Sequence, residues 1–596
     1  MLQPTPTVDT RLPRRFSDFD TLVEALDYAA KGSKGFNYYS GRGELVATTT
    51  FADIRDVAIK HAKRLIGLGL KKNDRVALLA ETGPDFACFF MACQYASLLP
   101  VPLPLPTSFG GREGYVQQLR RQITSCRAAA AIAPAGMDDL VHEAAKGRQM
   151  IFVGAPEEIS TLPEGDHELR LPGPDDVCYL QYSSGSTRFP HGVVVTNRSL
   201  LSNCHHIAKY GTKVTDTDRC VTWLPLYHDM GLVGCMLTPL ANQVSVDFIA
   251  TENFARRPLQ WLKLISQNGG TISYSPSFGY ELCARRVSAD ALASLDLSKW
   301  RLAGIGADMI RADVMRDFGR TFADAGLDSR AFVACYGLAE CTLAVSFANL
   351  NTGIEVDVVD ERQLATENIA VAPKLNGESD GGGRREVVNC GIALPDFELE
   401  IRDEQGLLVK DREVGKIFVR GDSVMSGYFD DPEATRQVLC EDGWLDTGDM
   451  GYRIEESLYL VGRIKDLIIL NGRNHWPQDI EWAAEQVPAL RSGDSAAISV
   501  PGKNDEEVAT LLVQCRVRDP EKRRLLSNEI KEKVSQTTGI QCGVVFVPPR
   551  TLPRTSSGKL SRSKARSKFL TGTLEPIDAD VTGVTNGARL AAAGPS

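Results

Sequence analysis

The chain has 596 residues, with 67 Lys and Arg against 76 Asp and Glu for a net charge of −9, and 43% of it is hydrophobic. At roughly 150 residues per domain this length excludes a single small module, and the apolar share excludes bulk disorder. The acidic balance argues against the basic footprint of a nucleic-acid binder and leaves small molecules and protein partners.

In chain order, the first recognisable unit is Thr50 to Ala80. Thr50 suits a helix cap, Ile54, Val57, Ala58, His61, Ala62, Leu65 and Ile66 recur at helical spacing, and Gly67 and Gly69 stop the helix before a strand at Arg75–Ala80. Gly83-Pro84 opens a second helix, Asp85–Leu99, leading to a short strand Val101–Leu103. Alternating strands and helices predict a largely parallel sheet covered by helices. Val177–Tyr182 and Val193–Thr196 read as strands joined by a Gly/Ser/Thr loop, with Asn197 capping a helix through Ala208. From about Asn349 to Glu386 the sequence turns polar and reads as an exposed, flexible insertion. Strands at Phe397–Ile401, Lys416–Arg420 and Ser457–Gly462 close the large part. A smaller α/β segment follows Arg463, with helices Gln478–Gln486 and Lys522–Thr537 and strands Ser495–Val500 and Thr510–Arg516. Gly572 to Ser596 has no periodicity and is expected to be a disordered tail.

Fourteen cysteines include no C-x-x-C pair, and Cys88, Cys93, Cys178 and Cys283 sit in apolar stretches, so buried reduced thiols and a cytoplasmic location are expected. The adjacent His205 and His206 lack partners at zinc spacing. The longest apolar run, Phe86 to Leu99, is broken by Gln94 and too short for a bilayer of about 30 Å, so no integral membrane association is expected. The first residues show no apolar core of a secretory leader.

The loop Ser183-Ser184-Gly185-Ser186-Thr187-Arg188-Phe189-Pro190-His191-Gly192 has what a phosphate cradle needs: glycines that let backbone N–H groups approach, hydroxyl donors, and an arginine fork. It is not a Walker A loop, and G-x-S-x-G is absent. The same composition also makes a plain polar hairpin turn. Farther along come Trp223-Leu-Pro-Leu-Tyr-His228-Asp229-Met230-Gly231, Tyr336-Gly337-Leu338-Ala339-Glu340, Gly443-Trp-Leu-Asp-Thr-Gly-Asp449, Gly462-Arg463-Ile464-Lys465-Asp466 and Thr555-Ser-Ser-Gly-Lys559.

In this order the six motifs resemble those of the acyl-adenylate-forming superfamily, over roughly residues 35–570, and Arg188 and the Asn474-His475-Trp476-Pro477 run are most similar to its fatty acyl-AMP ligase branch. The resemblance implies an α/β fold: a large N-terminal domain, residues 1–464, of helix-covered, mostly parallel sheets with a small β-barrel-like subdomain, then a small mobile α+β domain, residues 465–571, carrying a catalytic lysine. It implies ATP and Mg²⁺, a fatty acid substrate, and a phosphopantetheinylated acyl carrier protein as acceptor. In that family an insertion at the place of 349–386 restrains the small domain and disfavours CoA.

The same resemblance assigns roles residue by residue. Residues 183–192 would hold the β- and γ-phosphates, Glu340 the Mg²⁺, and Asp449 and Arg463 the ribose. Tyr336 would stack on adenine, with Gly306, Ala307 and Asp308 lining that pocket, although Asp308-Met309 stands where the family has Glu-Pro. His228 would lie near the acyl carboxylate, and Lys559 would bridge it to the α-phosphate. Lys465 would be the hinge. Met230, Phe278, Gly279 and Gly304 would line an acyl tunnel, the glycines leaving room for an alkyl chain; ordinary packing explains those glycines equally well. His191 replaces a lysine common in relatives. Arg562, Lys564, Arg566 and Lys568 would form a basic face toward an acidic carrier, or simply a solvated helix face. A fatty carboxylate, with a pKa near ~4.3, is ionised at neutral pH and needs no general base to attack phosphorus. Alternatives are an acyl-CoA synthetase, which shares the first half-reaction, and a non-catalytic nucleotide or acyl-lipid binding protein.

Overall fold

Thr50 caps the helix Phe51–Gly67 through a reciprocal box with Asp53, and the stripe from Ile54 to Ile66 is buried as the spacing predicts except for Val57, which turns to solvent at the edge of the apolar face. The computed structural model that contains this helix describes residues 2–9, 11–106, 111–183, 191–373, 383–470, 473–501, 507–555 and 559–578. The second helix, Pro84–Tyr95, ends four residues short of the expected Leu99, because Leu99–Leu103 leaves the helix to form a strand parallel to Arg75–Leu79. That strand tolerates Pro100 and Pro102 because it lies at the edge of its four-stranded sheet.

The central sheet has nine strands. Its parallel core runs Phe332–Gly337, Leu302–Ile305, Ile272–Ser275, Arg219–Thr222, Ser245–Ile249, Gly35–Tyr39, with antiparallel strands at both margins. Trp261, Tyr280, Trp300 and Phe318 pack mostly edge-to-face behind it. Carboxyl ends of parallel strands open onto a crevice, the usual place for a ligand in such sheets.

A four-stranded antiparallel meander, Phe397–Arg402, Gly415–Gly421, Leu445–Ile454 and Ser457–Arg463, follows. Its last strand also bonds to the chain at Cys390 and Gly391, shortly before the first strand begins. The ten-residue strand Leu445–Ile454 was not anticipated. In the small domain, Ser495–Pro501, Glu507–Gln514 and Gly543–Val547 form a mixed sheet flanked by helices Pro477–Glu485, Pro520–Thr538 and Arg562–Leu570.

Three expectations change. Thr196, not Asn197, caps the helix Asn197–His206; Asn197 is buried and accepts the Leu22 N–H at 3.0 Å. The polar insertion is structured over its described part: Val356–Asp360 pairs with Arg384–Val388 around the helix Glu361–Glu367, because Val359, Leu364 and Val387 are buried with Tyr452 and Trp476. Residues 374–382, which hold most of its glycines, lie outside the described residues. Gly572–Asp578, expected as tail, is docked: Leu574 is buried, the Ile577 N–H donates to the Phe546 carbonyl, and Asp578 pairs with Arg523. Cys88, Cys93, Cys178 and Cys283 are buried free thiols. Among the described residues no helix is long and apolar enough to cross a membrane.

Candidate active site

A cleft of ≈ 180 Å³ opens between the carboxyl ends of the central strands, the meander and the small domain. Strand Phe332–Gly337 delivers Tyr336 to its wall, and the chain reverses at Gly337, where a Cβ would stand 1.9 Å from the Leu343 carbonyl oxygen. The turn places Glu340 at the cleft and leaves Thr342 at φ +66°, ψ −56°, a sparsely populated conformation fixed by its hydroxyl bond to the Ser423 carbonyl.

Tyr336, Asp449 and Arg463 form one assembly. Asp449 and Arg463 face each other across the meander's last two strands. The Tyr336 hydroxyl donates to Asp449 Oδ2 at 2.8 Å and Arg463 Nε to Oδ1 at 3.1 Å, and Asp449 is buried. Asp449 holds the Arg463 guanidinium yet more firmly charged, while burial and the same carboxylate push the Tyr336 phenol well above its ordinary range. The assembly presents fixed polar groups on one wall.

Glu340 accepts the Tyr428 hydroxyl at 2.9 Å, and burial raises its carboxyl above the usual range, partly offset by Tyr428 and Arg463. A cation beside it would remove that penalty. Among the described residues no group of three or more His, Cys, Asp or Glu gathers into a cage. A single hard carboxylate suits Mg²⁺, which keeps waters and substrate phosphates as its other ligands, so the residues fit.

His228 precedes the wide helical turn Met230–Leu237 and pairs through Nδ1 with Asp229 Oδ1 at 2.6 Å. Burial disfavours the charged form of Asp229, yet His228 and Lys559 together hold its carboxyl below the usual range. Lys559 reaches the same cleft from the small domain; burial lowers its ammonium, and Asp308, Asp229 and Asp449 counter that. Lys465 lines the cleft from the turn Ile464–Asp466, where the domains join.

Ser183 lines the cleft, and its N–H donates to the His191 carbonyl at 3.1 Å, closing the hairpin expected of the loop. Ser184, Gly185, Ser186, Thr187 and Arg188 lie outside the described residues. His191 pairs with Asp431 at 3.1 Å. Gly306, Ala307, Leu338 and Ala339 line the cleft. Asp308 does not: it is exposed, accepts the Met309 N–H, and acts on Lys559 through its charge.

The apolar end departs from expectation. Met230 lines the cleft, but Gly304 leaves no room, since a Cβ there would meet the Tyr274 ring at 2.1 Å, and at Gly279 one would meet Ser275 Oγ at 2.1 Å. Phe278 is 47% exposed and packs its edge on Trp223 outside the cleft. The apolar wall is built instead by Ile207, Gly234, Tyr274, Leu343, Ala344 and Phe347. Ile207 and Gly234 lie in two π-helical turns, Ile207–Gly211 and Met230–Leu237, a local form frequent at functional sites. Thr447, quoted within its motif but given no role, lines the cleft, and Tyr428 escaped sequence reasoning; it follows Gly427, whose φ of +144° marks the bend that brings it to Glu340.

Comparison with known proteins agrees with this geometry. The family model of AMP-binding enzymes matches residues 37–429. A medium-chain-fatty-acid–[acyl-carrier-protein] ligase of Moorena producens is 31% identical, over 95% of this chain and 97% of its own. A Caulobacter vibrioides protein whose name assigns it provisionally to the acyl-CoA synthetases is 48% identical over 96% of this chain and 98% of its own. A solved structure from work on fatty acyl-adenylate ligases of E. coli and L. pneumophila is 46% identical with a TM-score of 0.89, covering 94% of this chain and 99% of that one. The chain belongs to the AMP-binding enzyme family and is an adenylate-forming ligase.

Proposed function

We propose that the protein activates a medium- or long-chain fatty acid with ATP and passes the acyl group to the phosphopantetheine thiol of an acyl carrier protein. The observation that carries this reading is the convergence on one cleft of Lys559, the Tyr336–Asp449–Arg463 assembly and Glu340, with an apolar compartment beyond Met230.

In the first half-reaction a carboxylate oxygen of the acid bonds to the α-phosphorus of ATP as the bond to the β-phosphate bridging oxygen breaks, giving acyl-AMP and pyrophosphate. The enzyme's task is alignment and neutralisation rather than proton transfer. Asp449 and Arg463 hold the ribose, and Tyr336, fixed by Asp449, lies against the base. The Lys559 ammonium sits between the acid and the α-phosphate as a point charge. His228, oriented by Asp229, borders the carboxylate. Glu340 would hold Mg²⁺, which, when bound, neutralises charge on the phosphates. In the second half-reaction the thiolate bonds to the acyl carbon and AMP leaves.

The carrier reading rests on the relatives' names and on how the insertion meets the small domain. Arg385 pairs with Asp479 at 3.1 Å and spans toward Trp476, and Asn474 donates to Asn368 at 3.1 Å. Such tethers restrain the rotation that CoA would need. Of the basic run, Arg562 is consumed by Glu481 and Asp466 and Arg566 donates to the Ser499 carbonyl, which leaves Lys564 and Lys568 to meet an acidic carrier. The provisional name of the Caulobacter relative favours a second reading, an acyl-CoA synthetase. Mass spectrometry after mixing protein, Mg·ATP and a fatty acid with either CoA or loaded carrier separates them. Acyl-AMP in both tubes with thioester on the carrier alone supports the ligase; efficient acyl-CoA supports the synthetase, and no adenylate from any acid leaves a binding protein.

A further inference from the structure

The turn after strand Leu302–Ile305 does more than line the cleft. Gly306 and Ala307 face it, Ala307 adopts a left-handed backbone at φ +69°, and four residues later Arg311 reaches across to the small domain. Its guanidinium donates to Glu485 Oε2 at 2.9 Å and to Asp313 Oδ2 at 2.8 Å, and lies over the Trp482 ring at 5.6 Å. Arg311 and Glu485 are both largely buried, with 15% and 6% of their side chains exposed. Glu485 is the last residue of helix Pro477–Glu485, an end whose free carbonyls also favour a cation.

The contact continues inward as a series of hydrogen bonds. Glu485 Oε1 accepts the Gly493 N–H at 2.7 Å, and the Gly493 carbonyl accepts Arg554 Nη2 at 2.8 Å. Gly493 is held at φ +75°, and a Cβ there would stand 2.7 Å from that Arg554 nitrogen. The next residue, Thr555, donates its N–H to the Lys559 carbonyl at 2.7 Å. Four links thus join the loop that walls the cleft to the loop that carries the lysine, across the domain boundary.

We propose that Arg311 is a positioning residue for adenylation: by gripping Glu485 it seats the small domain so that Lys559 stands in the cleft. This rests on the role given to Lys559 above. Asp308, three residues earlier on the same turn, reinforces the arrangement, since its charge favours the ionised forms of both Lys559 and Arg554. The grip serves one half-reaction only. Turning the small domain to present acyl-adenylate to a thiol must part Arg311 from Glu485, so cutting the contact slows the first step and spares the second.

The test assays the two half-reactions separately on the full-length protein. Pyrophosphate release reports adenylation, and transfer to carrier from supplied acyl-AMP reports the second step. Arg311→Gln is expected to lower kcat for adenylation about 10- to 100-fold, as a misplaced catalytic group does, while KM for ATP stays within about threefold and transfer is unchanged or faster. Glu485→Gln, which cuts the contact from the other domain should Arg311→Gln fold poorly, should do the same; the double variant should be no slower than either single one, and Arg311→Lys should recover part of the rate. Loss of both half-reactions together, a rise in KM alone, or adenylation at the parent rate overturns the proposal. Lys559→Ala serves as reference: were it to form acyl-AMP at the parent rate, the reading of Lys559 would fall, whatever Arg311 does.

Discussion

The wall of the cleft and the seam between the domains both bury acidic groups, and they treat them differently. On the wall, Asp449 has a donor for each oxygen, Tyr336 on one and Arg463 on the other. Along the seam the carboxyls are raised by burial that their arginines only partly offset: Asp479 to about 6, Glu485 to about 7 and Glu361 to about 8. A buried carboxyl whose desolvation its partners only partly offset makes its surroundings answer to protons, even where, as at Glu485, each oxygen has a donor. The seam is thus where the packing of the small domain answers to pH.

The largest expected effect breaks the wall. Asp449→Asn removes the charge that Arg463 faces while keeping the shape; KM for ATP should rise about 10- to 100-fold, since the buried carboxylate that fixes both Arg463 and Tyr336 is gone. Steady-state kinetics over a range of ATP checks this, and the pH response of the seam should be unaltered. An unchanged KM would show the assembly to be packing only.

A smaller effect sharpens the contrast from the other side. Asp479, Glu485 and Glu361 each ionise higher when docked than in water, so docking takes up protons. The seam is therefore tightest below the ordinary carboxylate range and loosens as pH climbs through about 6, 7 and 8. Protection of the amides at the joining turn Ile464–Asp466, taken as the exchange rate relative to the base-catalysed intrinsic rate at each pH, should fall over that interval. Glu361→Gln, which cannot ionise, should flatten its upper part; a flat profile in the parent protein would remove the distinction between wall and seam.

The smallest tests the apolar floor. Gly304→Ala places a methyl against the Tyr274 ring and should cost about 1–3 kcal/mol of stability by overpacking, read as a lowered Tm, with the Tyr336–Asp449–Arg463 assembly undisturbed. A fully stable variant would show that the ring can move and that the floor is deeper than it stands.

The polar half of the site was legible because each of its groups lies in a phrase of fixed residue types, and Tyr336, Glu340, Arg463 and Lys559 do line one cleft, with Asp449 bonded to two of them. The apolar half was not, for a physical reason. A glycine tells that a side chain is missing there, but which neighbour takes the space is settled by packing: Tyr274 takes it over Gly304, and Ser275 takes it over Gly279. Ile207 and Phe347 come from segments far apart in sequence that no motif links. The insertion misled by its average polarity, since three buried side chains, Val359, Leu364 and Val387, suffice to hold two strands and a helix in place.

Arg463 is the last residue of its strand, and the turn that joins the two domains begins at the next residue. The residue that grips Asp449 thus also marks where that turn starts. Whatever binds at Arg463 therefore bears directly on the start of the turn that leads into the small domain, so the cleft wall and that connection share one anchor at Asp449.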